Sequence, residues 1–217
     1  VDFIAPPLLI NAALNQENDW VLWKGVDGRV KLGLGAASRA VHSNFQTATE
    51  CYRRSAEGPP FVFFGGRFDD DRPDTTSPWS DWGCVETYTP LLVIEWADLE
   101  SHQALITLQL DQIDSIIDSV TRLLEVRRPL NEPTTQIQWR PAESEDAWCD
   151  RVRHLQDSFQ PNGLEKVVMA RQVDSTEAIA TNQIIHAVRH LLTHSANETV
   201  FIFGRPSGIF MGSSPET

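Results

Sequence analysis

Alternating apolar and polar residues predict β-hairpins in three parts of the chain. The paired segments are residues 21–24 with 30–35, 91–96 with 104–108, and 200–203 with 209–212. Each pair flanks a short segment containing Gly, Asp, Ser or Pro, which is typical of a turn between antiparallel strands. The apolar, aromatic run at residues 61–66 predicts one more buried strand.

Other segments repeat their apolar residues at the spacing of an α-helix. They are residues 41–52, 113–124, 148–159 and 184–192. Ser38 is a candidate N-cap for the first of these helices, and prolines follow the second and third. We expect three or four helices and about ten strands.

Antiparallel hairpins combined with separate helices predict an α+β fold, which is a mainly antiparallel sheet with helices packed on it. The segment 129–141 is rich in Pro and Thr, and it is the candidate domain boundary. The predicted division is a hairpin-rich subdomain over residues 1–133 and a second domain that begins in residues 134–217.

Charge and hydropathy exclude several classes of protein. The chain has 18 Lys and Arg against 30 Asp and Glu, a net charge of -12 that disfavours binding to nucleic acid. No segment approaches the roughly 18 unbroken apolar residues of a membrane-spanning helix. We therefore expect no nucleic-acid or membrane partner and a cytoplasmic location. The three cysteines are widely separated, and we expect them to be reduced and buried.

Lys166 interrupts the apolar segment 164–171, which is predicted to be a buried strand. A lysine in such a strand has to reach solvent, pair with an acid or carry a lowered pKa. Two interpretations stay open from these residues alone. Lys166 is either a catalytic base or a strand-edge lysine that reaches solvent or Glu165.

Glu216 follows Ser213, Ser214 and Pro215 after the last predicted hairpin. Taken alone, this motif is typical of a helix start, because Ser caps helices and an acid is favoured near the positive end of the helix dipole. The alternative interpretation is a catalytic carboxyl group.

The remaining candidate sites are weaker. His186, His190 and His194 share one helical face, but no carboxylate or Cys joins them at ligand spacing, so a polar helix face is predicted. The acidic residues 69–71 lack the alternating ligands of a calcium loop and are predicted to be solvated. From these residues we therefore predict no metal ligands within this chain.

The motifs around Lys166 and Glu216 indicate a specific family when they are considered together. Leu-Glu-Lys-Val-Val-Met-Ala-Arg at residues 164–171, followed after a helix by Phe-Ile-Phe at 201–203 and Phe-Met-Gly-Ser-Ser-Pro-Glu at 210–216, resembles the isochorismate synthases of the chorismate-utilising enzyme family. The resemblance extends from about Trp139 onward. It implies a partial chorismate-binding fold, similar to that of anthranilate synthase component I.

The resemblance also implies the roles of the two residues. Lys166 would be the general base that activates water for attack at C2 of chorismate, and Glu216 the general acid that protonates the departing C4 hydroxyl. Burial would shift both pKa values in the direction that these roles require. The family uses Mg²⁺, a hard ion suited to oxygen ligands, to hold the C1 carboxylate of the substrate.

Family members are considerably longer than this chain. Their magnesium-binding glutamates and substrate-binding arginine lie beyond the Ser-Pro-Glu motif, so the magnesium ligands are expected in that missing part. We therefore expect the chain to be an N-terminal portion that is inactive alone. An uncovered strand edge would then offer a surface for dimerisation.

Three alternatives remain at this point. Anthranilate and aminodeoxychorismate synthases typically carry Gln where this chain has Lys166, and the lysine favours water over ammonia as nucleophile. Salicylate synthases share the lysine and add pyruvate elimination. A non-catalytic α+β module is the third alternative. The menaquinone, phylloquinone, siderophore and salicylate routes are not distinguished by these residues.

Overall fold

The computed structural model describes residues 9–10, 19–54, 62–66, 82–97, 104–108, 117–118, 121, 136–162 and 166–215. The strands are β1 (Trp20–Lys24), β2 (Val30–His42), β3 (Phe63–Gly66), β4 (Val85–Trp96), β5 (Ala104–Leu108), β6 (Trp139–Pro141), β7 (Val173–Ser175), β8 (Thr199–Arg205) and β9 (Gly208–Ser214). The helices with assigned extents are α1 (Phe45–Arg54), α2 (Glu145–Asn162) and α3 (Thr181–His194). The predicted α+β class is confirmed.

The chain packs as two compact units. The first contains residues 1–130 and 185–217, and the second contains residues 131–184. The boundary on the C-terminal side therefore falls inside α3. The predicted division after residue 133 concerns family domains and stays a prediction.

The first unit is built on a seven-stranded sheet with the order β3-β4-β2-β1-β8-β9, and β5 also pairs with β4. All of its pairings are antiparallel. The hairpins β1–β2, β4–β5 and β8–β9 are the three that the alternating pattern predicts. The central strand β1 is paired on both sides, by β2 and by β8.

Alternation along the strands places large apolar side chains on one face of the sheet. In α3, Ile185, Val188 and Leu192 follow helical spacing and are buried in the same cluster. The buried strand residues of the cluster are Trp20, Leu22, Val30, Leu32, Leu34, Leu92, Ile94, Trp96, Val200 and Ile202. The core of the first unit therefore lies between α3 and this sheet face.

Strand β2 is irregular near its middle. Gly35 has φ 63°, in the left-handed region that favours glycine, and the pairing with β4 shifts between Ala36 and Ser38. The Tyr88 hydroxyl donates to the Gly35 carbonyl at 2.5 Å and to the Asp19 carbonyl at 3.2 Å. Burial, together with the charge of Asp19, raises the pKa of Tyr88, so the hydroxyl keeps its proton for these bonds.

Helix α1 begins later than the hydrophobic spacing predicts. The spacing predicts a first turn that includes Val41, but this residue belongs to β2, which extends to His42. Asn44 is the N-cap, since its side-chain oxygen accepts a hydrogen bond from the Thr47 amide at 2.8 Å. The predicted cap Ser38 is wrong, because pairing of β2 with β4 holds that residue in a strand.

The later helices agree better with the sequence. α2 and α3 confirm the segments predicted at 148–159 and 184–192. Of the segment 113–124, residues 117, 118 and 121 are helical, and the remainder lies outside the described residues. None of the described helices is both long and apolar enough to cross a membrane.

The second unit contains α2 and the short antiparallel pair β6–β7. Residues 166–172 have no regular secondary structure, so the predicted strand over 164–171 is wrong for the described residues. A strand needs a neighbour for its backbone hydrogen bonds, and here the β6–β7 ladder ends where the Ala142 amide donates to the Gln172 carbonyl at 3.0 Å. Val168 is consequently 81% exposed.

Lys24 is a buried charge that the hairpin pattern did not indicate. Its side chain is 4% exposed among the core residues of β1. The ammonium group donates to the Ser195 carbonyl at 2.7 Å, just after the end of α3. A cation at this end of a helix is favoured by the helix dipole, so Lys24 links β1 to α3.

The cysteines differ in part from expectation. Cys51, Cys84 and Cys149 are all free, and none forms a disulfide. Cys51 is exposed and the other two are half-buried, so the expected burial is wrong. Cys51 lies on α1, which turns this position outward to solvent.

We predict that Gly204→Ala destabilises the protein by about 3 kcal/mol. Gly204 lies opposite Trp20 in the β1–β8 pairing, and a methyl group at residue 204 would overlap the Trp20 indole ring. Gly208→Ala is the matched control, because a methyl group there meets no atom within 4 Å. The two variants are compared by urea denaturation, and equal losses would contradict the packing explanation.

Candidate functional site

Lys166 lies in the second unit on a segment without regular structure. Its side chain is exposed, whereas the predicted strand would have buried it. The segment has no strand partner in the described part of this unit, so nothing there encloses the ammonium group. The role of Lys166 as a base stays a prediction.

The motif that precedes Glu216 is described as far as Pro215. β9 ends at Ser214, which pairs with Thr199 of β8, while Ser213 is exposed. Glu216 itself lies outside the described residues. Lys166 and the Ser-Ser-Pro motif belong to different units.

The β8–β9 hairpin, which carries the motif, is held by an aromatic cluster. The rings of Phe201 and Phe210 have centroids 5.5 Å apart. Trp82 makes edge-on contacts with Phe203 at 6.2 Å and Phe210 at 6.4 Å. Edge-to-face pairs of this kind add stability beyond the apolar area that they bury.

A buried carboxylate lies next to this cluster. Glu86 of β4 accepts hydrogen bonds from Arg39 of β2 at 3.0 Å and from the Gly83 amide at 2.6 Å. It also forms an ion pair with Arg205, at the end of β8. The Arg205 guanidinium lies 3.8 Å from the centre of the Trp82 ring, a cation–π contact.

The pKa of Glu86 is lowered from its ordinary value of 4.5. Burial alone acts in the opposite direction and raises this pKa, because it disfavours the charged form. The hydrogen bonds from Arg39 and Gly83 and the positive charge of Arg205 outweigh that effect. Glu86 is therefore ionised near neutral pH, and it joins β4 to β2 and β8.

Sequence reasoning missed this cluster, which we call the Glu86 cluster (Arg39, Trp82, Glu86 and Arg205). Its members are far apart in the chain, and Glu86 and Arg205 are separated by 119 positions in numbering. No short motif marks such a pair. The available signal was a Glu near the start of a strand whose second half is mainly apolar, and that signal does not name the partner.

No set of three or more His, Cys, Asp or Glu side chains in the described residues is arranged to hold a metal ion. The expected Mg²⁺ therefore has no fitting ligand group among them. The three histidines of α3 are exposed, as the predicted polar face requires. The rings of His190 and His194 are stacked, with centroids 4.1 Å apart.

Comparison with known proteins identifies the family. Residues 33–217 match the family model described as chorismate binding enzyme. The chain belongs to the chorismate-binding enzyme family. The predicted resemblance, which rested on the residues around Lys166 and Glu216, is thereby confirmed at the level of the family.

The solved structure of MenF, the menaquinone-specific isochorismate synthase from Escherichia coli, is similar to this member of the family. The TM-score is 0.65 at 20% sequence identity. The match covers 95% of this chain and 47% of the MenF chain, so this chain spans about half the length of that relative. A comparison with curated proteins found no match. The likeness to MenF confirms the chorismate-binding fold.

We predict that Glu86→Gln lowers the free energy of unfolding by about 3 kcal/mol at pH 7, because it leaves two arginines without their carboxylate partner. The lowered pKa means that the stabilisation from Glu86 is present above pH 4.5 and is lost as the pH falls further. The difference between parent and variant should therefore shrink below pH 4.5 in urea denaturation.

Asp150→Asn is the control for this substitution. Asp150 forms an ion pair with Arg153 at 2.7 Å, but the two side chains are 75% and 70% exposed. Exposed pairs contribute little, and we expect a change within about 0.5 kcal/mol. A loss from Asp150→Asn as large as that from Glu86→Gln would contradict the importance of burial.

Proposed function

We propose that this chain is the N-terminal part of an isochorismate synthase, which converts chorismate to isochorismate. The observation that carries the proposal is the match of residues 33–217 to chorismate-binding enzymes, in a segment that contains both Lys166 and Glu216. The likeness in fold to the isochorismate synthase MenF supports it. Since the chain spans about half of that relative, we propose that it is inactive by itself.

In the proposed reaction, Lys166 is the general base. Its neutral amine takes a proton from water, and the oxygen of that water forms a bond to C2 of chorismate. The lysine at this position favours water as the nucleophile, because a neutral amine positioned beside it can accept the proton that water must lose. The ring double bonds then rearrange toward C4.

Glu216 is the proposed general acid. It donates a proton to the C4 hydroxyl, the C4–O bond breaks, and water departs. One water enters and one leaves, so substrate and product have the same composition and the reaction is an isomerisation. A carboxyl group that donates a proton near neutral pH needs a raised pKa, which a site closed to water supplies.

The exposure of Lys166 sets a condition on this proposal. A lysine base needs a lowered pKa, and burial or a neighbouring cation is the physical cause that lowers it. In the second unit the side chain is exposed. The active enzyme must therefore enclose Lys166 beside the substrate.

We further propose that the reaction requires Mg²⁺ and takes place in the cytoplasm, with chorismate as a small-molecule substrate. Mg²⁺ prefers carboxylate oxygens, and chorismate carries such groups. When bound, the ion would hold a substrate carboxylate and neutralise its charge. The proposal includes no nucleic-acid or membrane partner. It does include dimerisation of the chain through an uncovered strand edge.

One observation favours a second candidate, a chorismate-family module without catalytic activity. The exposed Lys166 is compatible with a lysine that has no chemical role. Salicylate synthase is a third possibility within the family, and its products distinguish it. Both are outcomes of the experiment below.

We predict that the complete gene product containing this chain forms isochorismate from chorismate in the presence of Mg²⁺. Lys166→Ala and Glu216→Gln should each lower kcat by about 10²–10⁴-fold, the usual contribution of a general base or acid. Lys31→Ala is the control, because Lys31 pairs with Glu95 on the sheet of the first unit. Products are separated by chromatography.

The products decide between the candidates. Isochorismate, with loss of turnover in both variants and not in the control, supports the assignment. Salicylate together with pyruvate would move the protein to the salicylate synthases. No turnover by a folded gene product would support the non-catalytic module. Removal of Mg²⁺ with a chelator should abolish turnover reversibly.

We also predict that chorismate protects Lys166 from an amine-reactive reagent in the complete gene product. A base beside the substrate becomes inaccessible when the site is filled, whereas the labelling of the half-buried Lys31, in the sheet of the first unit, should not depend on chorismate. Mass spectrometry measures the labelling of both lysines with and without chorismate. Equal labelling of Lys166 under both conditions would contradict its place in the substrate site.

A further inference from the structure

The last two turns of α3 carry a pair of stacked imidazole rings. His190 and His194 are four residues apart, so they lie on the same face of the helix. Their ring centroids are 4.1 Å apart and the planes are inclined by 20°. Both side chains are exposed, which leaves their outer edges open to solvent.

The hydrogen bonds of His194 determine which of its nitrogens carries a proton. Nδ1 lies 3.0 Å from the His190 carbonyl oxygen and 2.8 Å from the Thr193 hydroxyl. A carbonyl oxygen only accepts, so Nδ1 is the donor in this bond. In the neutral ring, Nε2 then carries the lone pair that a metal ion needs.

This arrangement is the one that orients histidine ligands in metal sites. A ligating histidine almost always donates its other ring N–H to a carbonyl or carboxylate, which fixes the tautomer and the ring orientation. His194 has that support from the backbone of its own helix. Thr193 is held in turn, because its hydroxyl bonds to the Arg189 carbonyl at 2.9 Å.

The second ring lies close enough to share an ion. To share an ion, the His190 ring has to rotate out of its stack on His194, and the broad χ2 torsion of histidine permits such a rotation. Two histidines at this spacing on one helix face form the ligand pair of known helical zinc sites. Water fills the remaining coordination positions at an exposed pair.

We propose that His190 and His194 form a binding site for a divalent transition-metal ion that prefers imidazole ligands, such as Ni²⁺, Cu²⁺ or Zn²⁺. The site is independent of the chorismate chemistry and lies wholly in the first unit. Mg²⁺ does not fit it, because that ion prefers oxygen ligands in octahedral geometry. Cu²⁺ binds more tightly than Ni²⁺ at this site, following the general order of affinities.

The test is isothermal titration of the full chain with Ni²⁺ in a buffer that does not chelate metals. We expect saturable binding with a stoichiometry of one ion per chain. His190→Gln and His194→Gln should each weaken binding at least about tenfold, and excess Mg²⁺ should leave it unchanged. Circular dichroism checks that the variants fold as the parent does.

His154→Gln is the matched control. His154 is also an exposed histidine on a helix, α2, and its substitution should change the affinity less than about twofold. In a second measurement, substoichiometric Cu²⁺ should broaden the NMR ring resonances of His190 and His194 first.

Three results would overturn the site. They are the absence of saturable Ni²⁺ binding by the parent, equal weakening by His154→Gln, and unchanged affinity in both His190→Gln and His194→Gln. A loss of binding in His186→Gln with normal binding in His194→Gln would also place the ion elsewhere on the helix.

Discussion

The ion pair between Glu86 and Arg205 depends on a sheet that curls back on itself. β4 and β8 are separated by two strands, β2 and β1, so they would be roughly 14 Å apart in a flat sheet. The contact between the two side chains indicates that the sheet is curled, so that the start of β4 approaches β8. The carboxylate of Glu86 then stabilises the curled form, and Phe203 approaches Gly65 of β3 in the same region.

The sequence was most informative where structure is local. The three hairpins and the helices α2 and α3 follow directly from periodicity and turn residues, since each depends on neighbours in the chain. The late start of α1 was missed for a long-range reason. Pairing of β2 with β4 continues past residue 38 and overrides the helical spacing that begins at Val41.

The same distinction between local and long-range structure applies to the candidate site. The family could be recognised from a few residues around Lys166 and Glu216, because these motifs are short and specific. The surroundings of Lys166 could not be predicted from the sequence, because an apolar segment becomes a buried strand only when another strand pairs with it. In the second unit, β7 begins at Val173, after the lysine, and the predicted strand has no such neighbour in the described residues. The Glu86 cluster could not be predicted for a different reason, since its members lie far apart in the sequence.

The pairing of β1 with β8 has a consequence for how the protein is made. Trp20 and Gly204 are direct neighbours in the sheet, yet nearly the whole chain separates them. During synthesis, β1 and β2 can form their hairpin early, but one edge of β1 and the apolar face around Leu22 remain open until β8 has left the ribosome. Contacts of this length slow folding and leave a nascent chain open to misassociation. The first unit is therefore expected to complete its core only after β8 has been synthesised.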